Sequence, residues 1–449
     1  MLKNAKELNT QKLYSERQEF SKDIKHVVIQ NALSRQGIRD AIHSIGSEQE
    51  TQCHFDIDLK TLRCADQKNS GRCWIFAGTN ILREMVAKKI NLDYSEMFEL
   101  SQNYVAFFDK LEKTNYLLEC CIDLADKDPQ KDWTLNHLLH TGIQDGGQWD
   151  MFVNIINKYG VCPKANFPET FASSNTDDID TLLTNQCRKF ASLVHALYLN
   201  GKMDEAEALK DEYMTKAHNA LCSSFGTPVD TFDFEYTSKD GKYHLDRALT
   251  PKSFVENYCD DINDYVSVIN APQDSKPFNK TYTVKYVGNV IGGKSIFYLN
   301  LTMDELKDLF IKQLKAKSPV WFGSDCMKYR ERKQGIWNFN AFGYQAAFDM
   351  DIEFSKGQQM DYCESAMDHA MVITGVAFKD DKSVKWKIEN SWGEDQGVKG
   401  YFVATDEWFD KYVYQAVINK KFLTKDQAEL LDQAPIELEP WDPMGTLAR

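Results

Sequence analysis

The chain predicts an α+β fold, on two observations. Helix-like periodicity dominates the first half, and strand-like patterning dominates residues 280–420. Segregated helices and strands, rather than strict alternation, mark the α+β class. Length adds a bound. At about 150 residues per domain, 449 residues suggest three domains or one enzyme with insertions. A hydrophobic content of 43% and a charged content of 27% exclude long-range disorder and collagen-like repeats.

In chain order, the first sixty residues are charged and helix-permissive. Gly71 then punctuates, and Ile75, Ile81, Leu82, Met85, Val86 and Ile90 recur near helical spacing. This predicts a loop followed by a buried helix with Cys73 in its first turn. Ser101 starts another helical run, SQNYVAFFDKLEK. A third, MFVNIINKYG, follows Asp145-Gly146-Gly147 and stops at Gly160. Leu183, Cys187, Phe190, Val194 and Leu197, then Met203, Ala206, Leu209, Tyr213, Ala217 and Leu221, predict a helical hairpin broken at Asn200-Gly201. Its apolar seam fits core packing or a projecting arm that packs on another subunit. Val384, Trp386 and Ile388 alternate with Lys385, Lys387 and Glu389, the period of a half-buried strand. AMVITGVAF is a continuous buried run. The end, APIELEPWDPMGTLAR, has three prolines and no period, and reads as an extended tail.

Composition narrows the function classes. Fifty-three Lys and Arg against 67 Asp and Glu give a net charge of −14. Bulk attraction to nucleic acid or an anionic membrane is disfavoured, although a local basic patch survives such a balance. No apolar signal-peptide core opens the chain and no run suits a membrane span. With eleven cysteines, an odd number, a secreted disulfide framework is not expected; a reducing, cytoplasmic compartment is. No CxxC pair occurs, so neither a metal site nor a cofactor is expected. The two Asn-x-Thr matches, at Asn279 and Asn300, are read as chance. Ten cysteines are expected to be small buried hydrophobes. Cys73 stands apart.

Three segments carry chemistry: QKNSGRCW (67–74), MDHAM (367–371) and ENSWG (389–393). Each alone has a bland reading, namely a packed cysteine, a satisfied core histidine and a turn. In the order Gln, Cys, His, Asn they fit one mechanism. Cys73, at a helix start, is expected to ionise, aided by free N–H groups and an imidazolium from His369. His369 would protonate a leaving amine and then activate water. Asn390 would orient the imidazole, and Trp392 would shield that bond. The Gln67 side chain and the Cys73 N–H would form an oxyanion hole, in which losing one donor costs about 10²–10³ in rate.

These blocks resemble the papain-like cysteine peptidase superfamily. His369 follows Cys73 by 296 residues, about twice the usual ~130–150, so an insertion is expected to split the core. The segments QKNSGRCWIF, FELSQNYVAFFDKLEK, DGGQWDMFVNIINKYGVCPK, TPKSFVENY, SPVWFGSD, DHAMVITGV, IENSWGEDQGVKGYF and WDPMGTLAR are similar to the bleomycin hydrolase and aminopeptidase C branch. The resemblance implies a papain-like core, with a helical lobe and a β-barrel lobe, a helical insertion and a C-terminal arm. It divides the chain into a helical extension (1–60), the helical lobe (61–179), the insertion with oligomer contacts (180–275), the β-rich lobe (276–432) and the arm (433–449).

The same resemblance implies a homohexameric ring acting as an aminopeptidase of broad tolerance on peptides with a free N-terminus. Gly146 and Gly147 would pair with the substrate backbone. The arm would lie in the cleft, with the carboxylate of Arg449, or of Ala448 in a trimmed chain, meeting the substrate amine. A nucleic-acid-binding or scaffolding hexamer with incidental peptidase activity is the competing reading, opposed by the acidic balance. Amide hydrolysis of a xenobiotic on the same triad is a third.

Overall fold

The structure, a computed structural model, describes residues 4–49 and 51–448. The helices foreseen in the first half form where their punctuation places them. Ser101 caps Gln102–Asp123 by accepting the Tyr104 N–H at 3.0 Å, a contact that stabilises a helix by about 1 kcal/mol. Trp149–Tyr159 ends at Gly160 with φ 73°; a Cβ there would meet the Pro251 carbonyl carbon at 2.2 Å, so the turn needs glycine. Cys73–Lys89 is buried along nearly its whole length.

The helical hairpin is Asp177–Leu199 followed by Ala206–Phe225. Leu183, Cys187, Phe190, Val194, Ala217 and Leu221 of its seam are fully buried, in the same core as Leu117, Leu118 and Cys121 of Gln102–Asp123. The seam is core packing in this chain. The segment 180–275 is not wholly helical, however. Phe232–Thr237 and Tyr243–Leu249 form an antiparallel two-stranded sheet whose aromatic face, Phe234 and Tyr236, packs on Phe254 and Tyr258. Tyr265–Ile269 already belongs to the large sheet, because every residue of that run is buried on both faces.

Among the described residues the large sheet has twelve strands. Its central order is Tyr265–Ile269, Val413–Asn419, Val320–Ser324, His369–Lys379, Lys382–Glu389 and Tyr401–Thr405, all antiparallel to their neighbours. One face packs on Met303–Lys315, whose Leu306, Leu309, Phe310 and Leu314 are fully buried. The other faces the helical core, so the β-rich part and the helical part meet along the strand of His369. The tail is partly ordered by pairing: Ile436–Leu438 runs parallel to Lys280–Val284. Among the described residues no helix is long and apolar enough to cross a membrane.

Three local expectations need correction. Val384 is 38% exposed, so the alternation starts at Trp386. Glu389, expected on the wet face, is 2% exposed; it accepts hydrogen bonds from Arg83 at 2.7 Å and Asn80 at 2.8 Å, and this pairing makes its burial tolerable. All eleven cysteines are free thiols, but of the ten expected to be buried, Cys363 is exposed and Cys53, Cys222 and Cys259 are half-buried. Asn300, by contrast, is wholly buried and hydrogen-bonded, which suits the reading of its sequence match as chance.

The Arg83–Glu389 pair joins the helix of Cys73 to the strand that leads into Asn390. Removing one partner strands a buried charge, so Arg83→Met is expected to lower stability by about 3–5 kcal/mol in urea unfolding. The double variant R83M/E389M should recover part of that loss. A single-variant loss below about 1 kcal/mol would mean the pair does not clamp the two halves.

Candidate active site

Gln67, Cys73, His369, Asn390 and Trp392 come from three separate stretches of chain and converge. The loop bearing Gln67 is tied to the turn after Lys382–Glu389. The Gln67 N–H donates to the Ser391 carbonyl at 2.9 Å, and Ser391 Oγ donates to Gln67 Oε1 at 2.6 Å. Asp66 pairs with Trp392 in an antiparallel bridge. Gln67 Nε2 donates to the Ser70 carbonyl at 2.6 Å, which leaves its second hydrogen for another acceptor.

His369 begins the strand His369–Lys379 and is 2% exposed. Its Nε2 lies 2.9 Å from Asn390 Oδ1, which also accepts the Ser391 N–H at 2.8 Å. An oxygen already receiving one N–H acts as acceptor for the second. The proton therefore sits on Nε2 and Nδ1 is left as the free base. Among the described residues Asn390 Nδ2 is buried without a partner. Turning the amide over would set that nitrogen against the Ser391 N–H, donor against donor. The Trp392 ring stacks on the imidazole with centroids 4.9 Å apart.

Cys73 is fully buried at the start of its helix. The Ala370 N–H, one residue from the imidazole, donates to Sγ at 3.4 Å. Here the electrostatics depart from the sequence expectation. Burial pushes the thiol up to about 12, against the favourable backbone N–H groups of Ala370 and Trp74. Burial likewise brings His369 down to about 4, opposed by its bond to Asn390 and assisted by the charges of Arg330 and Arg332. Burial thus opposes charging of either group alone.

The strip Asp145-Gly146-Gly147 lies beside this pair. Trp74 Nε1 donates to the Asp145 carbonyl at 2.7 Å, and the Gly71 N–H donates to Asp145 Oδ2 at 2.6 Å. Lys110 donates to Asp145 Oδ1 at 2.6 Å, and Lys113 to the Gly146 carbonyl at 2.6 Å. Burial opposes ionisation of Asp145, but Lys110, Thr176 and Gly71 hold its carboxyl well below the usual range. Gly147 has a steric reason: a Cβ would come within 2.4 Å of the Trp74 ring.

The C-terminal arm occupies that strip. The Gly147 N–H donates to the Ala448 carbonyl at 3.1 Å in an antiparallel bridge, and Gln148 Nε2 donates to the Thr446 carbonyl at 2.7 Å. Ala448 is completely buried. Alongside the arm lies a cavity of about 470 Å³ bordered by Lys113, Leu117, Met367, Asp368 and Leu447. The expected carboxylate of Arg449 lies outside the described residues. Sequence reasoning missed Lys110 and Lys113, although two lysines three apart in an otherwise buried helix, FFDKLEK, mark one face. It also missed Arg330 and Arg332, whose guanidinium carbons lie 5.2 and 4.9 Å from the Trp392 ring centroid. No group of three or more His, Cys, Asp or Glu suited to a metal occurs among the described residues.

A helical part and a sheet meeting at a Cys–His–Asn constellation, with a glutamine upstream of the cysteine, define a papain-like cysteine peptidase. The chain belongs to the Peptidase C1-like family, whose model matches residues 7–445. It is 44% identical over 434 residues to aminopeptidase C of Lactobacillus delbrueckii subsp. lactis, covering 96% of each chain. It is 36% identical over 455 residues to bleomycin hydrolase of Rattus norvegicus, covering 98% of this chain and 99% of that one. The solved structure of PepW from Lactobacillus rhamnosis HN001 superposes with a TM-score of 0.96 at 41% identity, covering 98% of this chain and 99% of that one.

Gly147→Ala is expected to push the strip off Trp74 and weaken the Ala448 bond. Losing about one backbone hydrogen bond should speed removal of the last residues by an added carboxypeptidase roughly fivefold, read by intact mass. An unchanged trimming rate would show that the strip does not hold the arm.

Proposed function

We propose that this chain is a cysteine-type aminopeptidase that removes N-terminal residues from peptides through a thioester on Cys73. The observation that carries the reading is the Ala448–Gly147 bridge: the chain's own end lies where an extended substrate backbone would pair. An open cleft of this kind suits an endopeptidase. A cleft filled on one side leaves room for a single residue before the scissile bond. The names of the aminopeptidase C relatives support the same activity.

In this mechanism Cys73 Sγ gives its proton to His369 Nδ1 and attacks the carbonyl carbon. The developing oxyanion receives the second Gln67 amide hydrogen and the Cys73 N–H. His369 then protonates the leaving amine, and the thioester forms. Water, deprotonated by His369, completes hydrolysis. Asn390 keeps the proton on Nε2 throughout, and Trp392 covers that bond. Gly146 and Gly147 offer backbone to the substrate side already used by the arm. The terminal carboxylate, on Arg449 or on Ala448 after trimming, would meet the substrate ammonium and set the distance from the free N-terminus to Cys73.

Assembly as a homohexamer and residence in the cytoplasm belong to the proposal as well. The first rests on the family resemblance, and the second accords with eleven free thiols. Native mass measurement checks the first. A net charge of −14 favours no nucleic-acid role.

Cys73→Ala is expected to abolish hydrolysis of aminoacyl arylamides, and Gln67→Ala to lower kcat by about 10²–10³. Normal turnover by Cys73→Ala would refute the nucleophile assignment. Deleting 446–449 should weaken cleavage of free peptides and open cleavage of amino-blocked ones. Unchanged selectivity after deletion would refute the role of the arm.

A further inference from the structure

Arg330 and Arg332 form a cationic pair beside the reactive centre for which the proposed mechanism has no use. Arg330 is half-buried in the short strand Arg330–Glu331, and Arg332 is exposed in the turn that follows. Both guanidinium carbons lie about the Trp392 ring, at 5.2 and 4.9 Å from its centroid. The same ring stacks on His369. Among the described residues neither arginine makes an ion pair, although most buried or half-buried cations in this chain do; Arg72, Arg83, Lys110 and Lys276 each have a carboxylate within 4 Å. The neighbouring carboxylate, Glu331, is taken by His43 at 2.7 Å.

The field around Arg330 is correspondingly unfavourable to it. Burial, Arg332 and Arg39 lower its pKa, against the attraction of Cys326 and Asp368. In a chain of net charge −14, two guanidinium groups that share the Trp392 ring, with no ion pair among the described residues, mark a place prepared for an anion from outside.

The position says which anion. The arm and the cavity beside it, bordered by Gly445, Thr446, Leu447 and Asp368, lie along the strip that ends at Gly147. Trp392, Arg330 and Arg332 do not border that cavity; Trp392 is bridged to Asp66, next to Gln67, and the two arginines lie on its ring. The leaving amine must come to the His369 proton, and the ring that covers His369 is Trp392. The peptide that leaves therefore passes over the face where the two arginines wait. We propose that Arg330 and Arg332 bind a carboxylate on the leaving peptide, either the C-terminal carboxylate of a short substrate or an acidic side chain just after the scissile bond. This rests on the aminopeptidase reading and adds a specificity determinant on the leaving side.

The test measures kcat/KM for three substrates: Leu-Gly with a free carboxylate, Leu-Gly amide, and Leu-Asp amide. Wild-type enzyme is expected to favour each carboxylate-bearing peptide over Leu-Gly amide by about tenfold, chiefly through KM, and to lose that preference at high salt. Preference for Leu-Gly alone assigns the terminal carboxylate, and preference for Leu-Asp amide alone assigns the side chain. Arg332→Gln and Arg330→Gln should each bring the ratio toward one. The exposed Arg332 provides the variant least apt to disturb folding. A flat ratio in the wild type, or a ratio that survives both substitutions, overturns the proposal while leaving the aminopeptidase reading intact. Failure to cleave any of the three overturns the aminopeptidase reading and this inference with it.

Discussion

Everything at the reactive centre depends on how a helix from one part of the chain is held to a strand from another. Arg83 lies ten residues along the helix that starts at Cys73; Glu389 immediately precedes Asn390. Their contact spans 306 residues of sequence and is sealed from water on both sides. Such a pair offers modest net stability, because desolvation consumes most of its Coulomb energy. What it does offer is register. Slipping the helix by one turn would leave two uncompensated charges in the core. The Ala370 N–H bond to Sγ is the fine adjustment made possible by that coarse one.

A second constraint acts on the site from outside. The arm uses backbone pairing with Gly147, so its hold does not depend on particular side chains at 446–448. The strip that receives it is itself held by buried charge, with Lys110 and Lys113 on Asp145 and Gly146. Glycine at 147 permits the close approach that Trp74 would otherwise forbid. One indole thus supports the strip through its N–H and excludes any side chain there through its ring. Burial also opposes charging of Cys73 and of His369 taken singly.

The legible parts of this molecule were those written in local chemistry. Helix starts and stops at Ser101 and Gly160 follow from capping and positive φ, and AMVITGVAF follows from continuous burial. Gln67, Cys73, His369, Asn390 and Gly147 stood out because each residue type would have a task in one proposed reaction. What stayed hidden was set by distant partners. Glu389 looked solvent-facing because Arg83 is 306 residues away. The hairpin Phe232–Thr237 with Tyr243–Leu249 hid inside a stretch read as helical, since its strands bury only one narrow aromatic face. The depth at which Cys73 lies was hidden too: a helix start is visible in sequence, whereas the burial that opposes ionisation of its thiol is not.

In the proposed reaction Cys73 carries one residue of the substrate, taken from a free N-terminus. The most direct measurement is acid quenching during turnover of an amino-acid ester, followed by mass mapping of the peptide that contains Cys73. The expected result is the added mass of a single aminoacyl group on Cys73, formed from the free-amine ester and not from its N-acetyl counterpart. An adduct on another residue, or equal labelling by the acetylated ester, would contradict it.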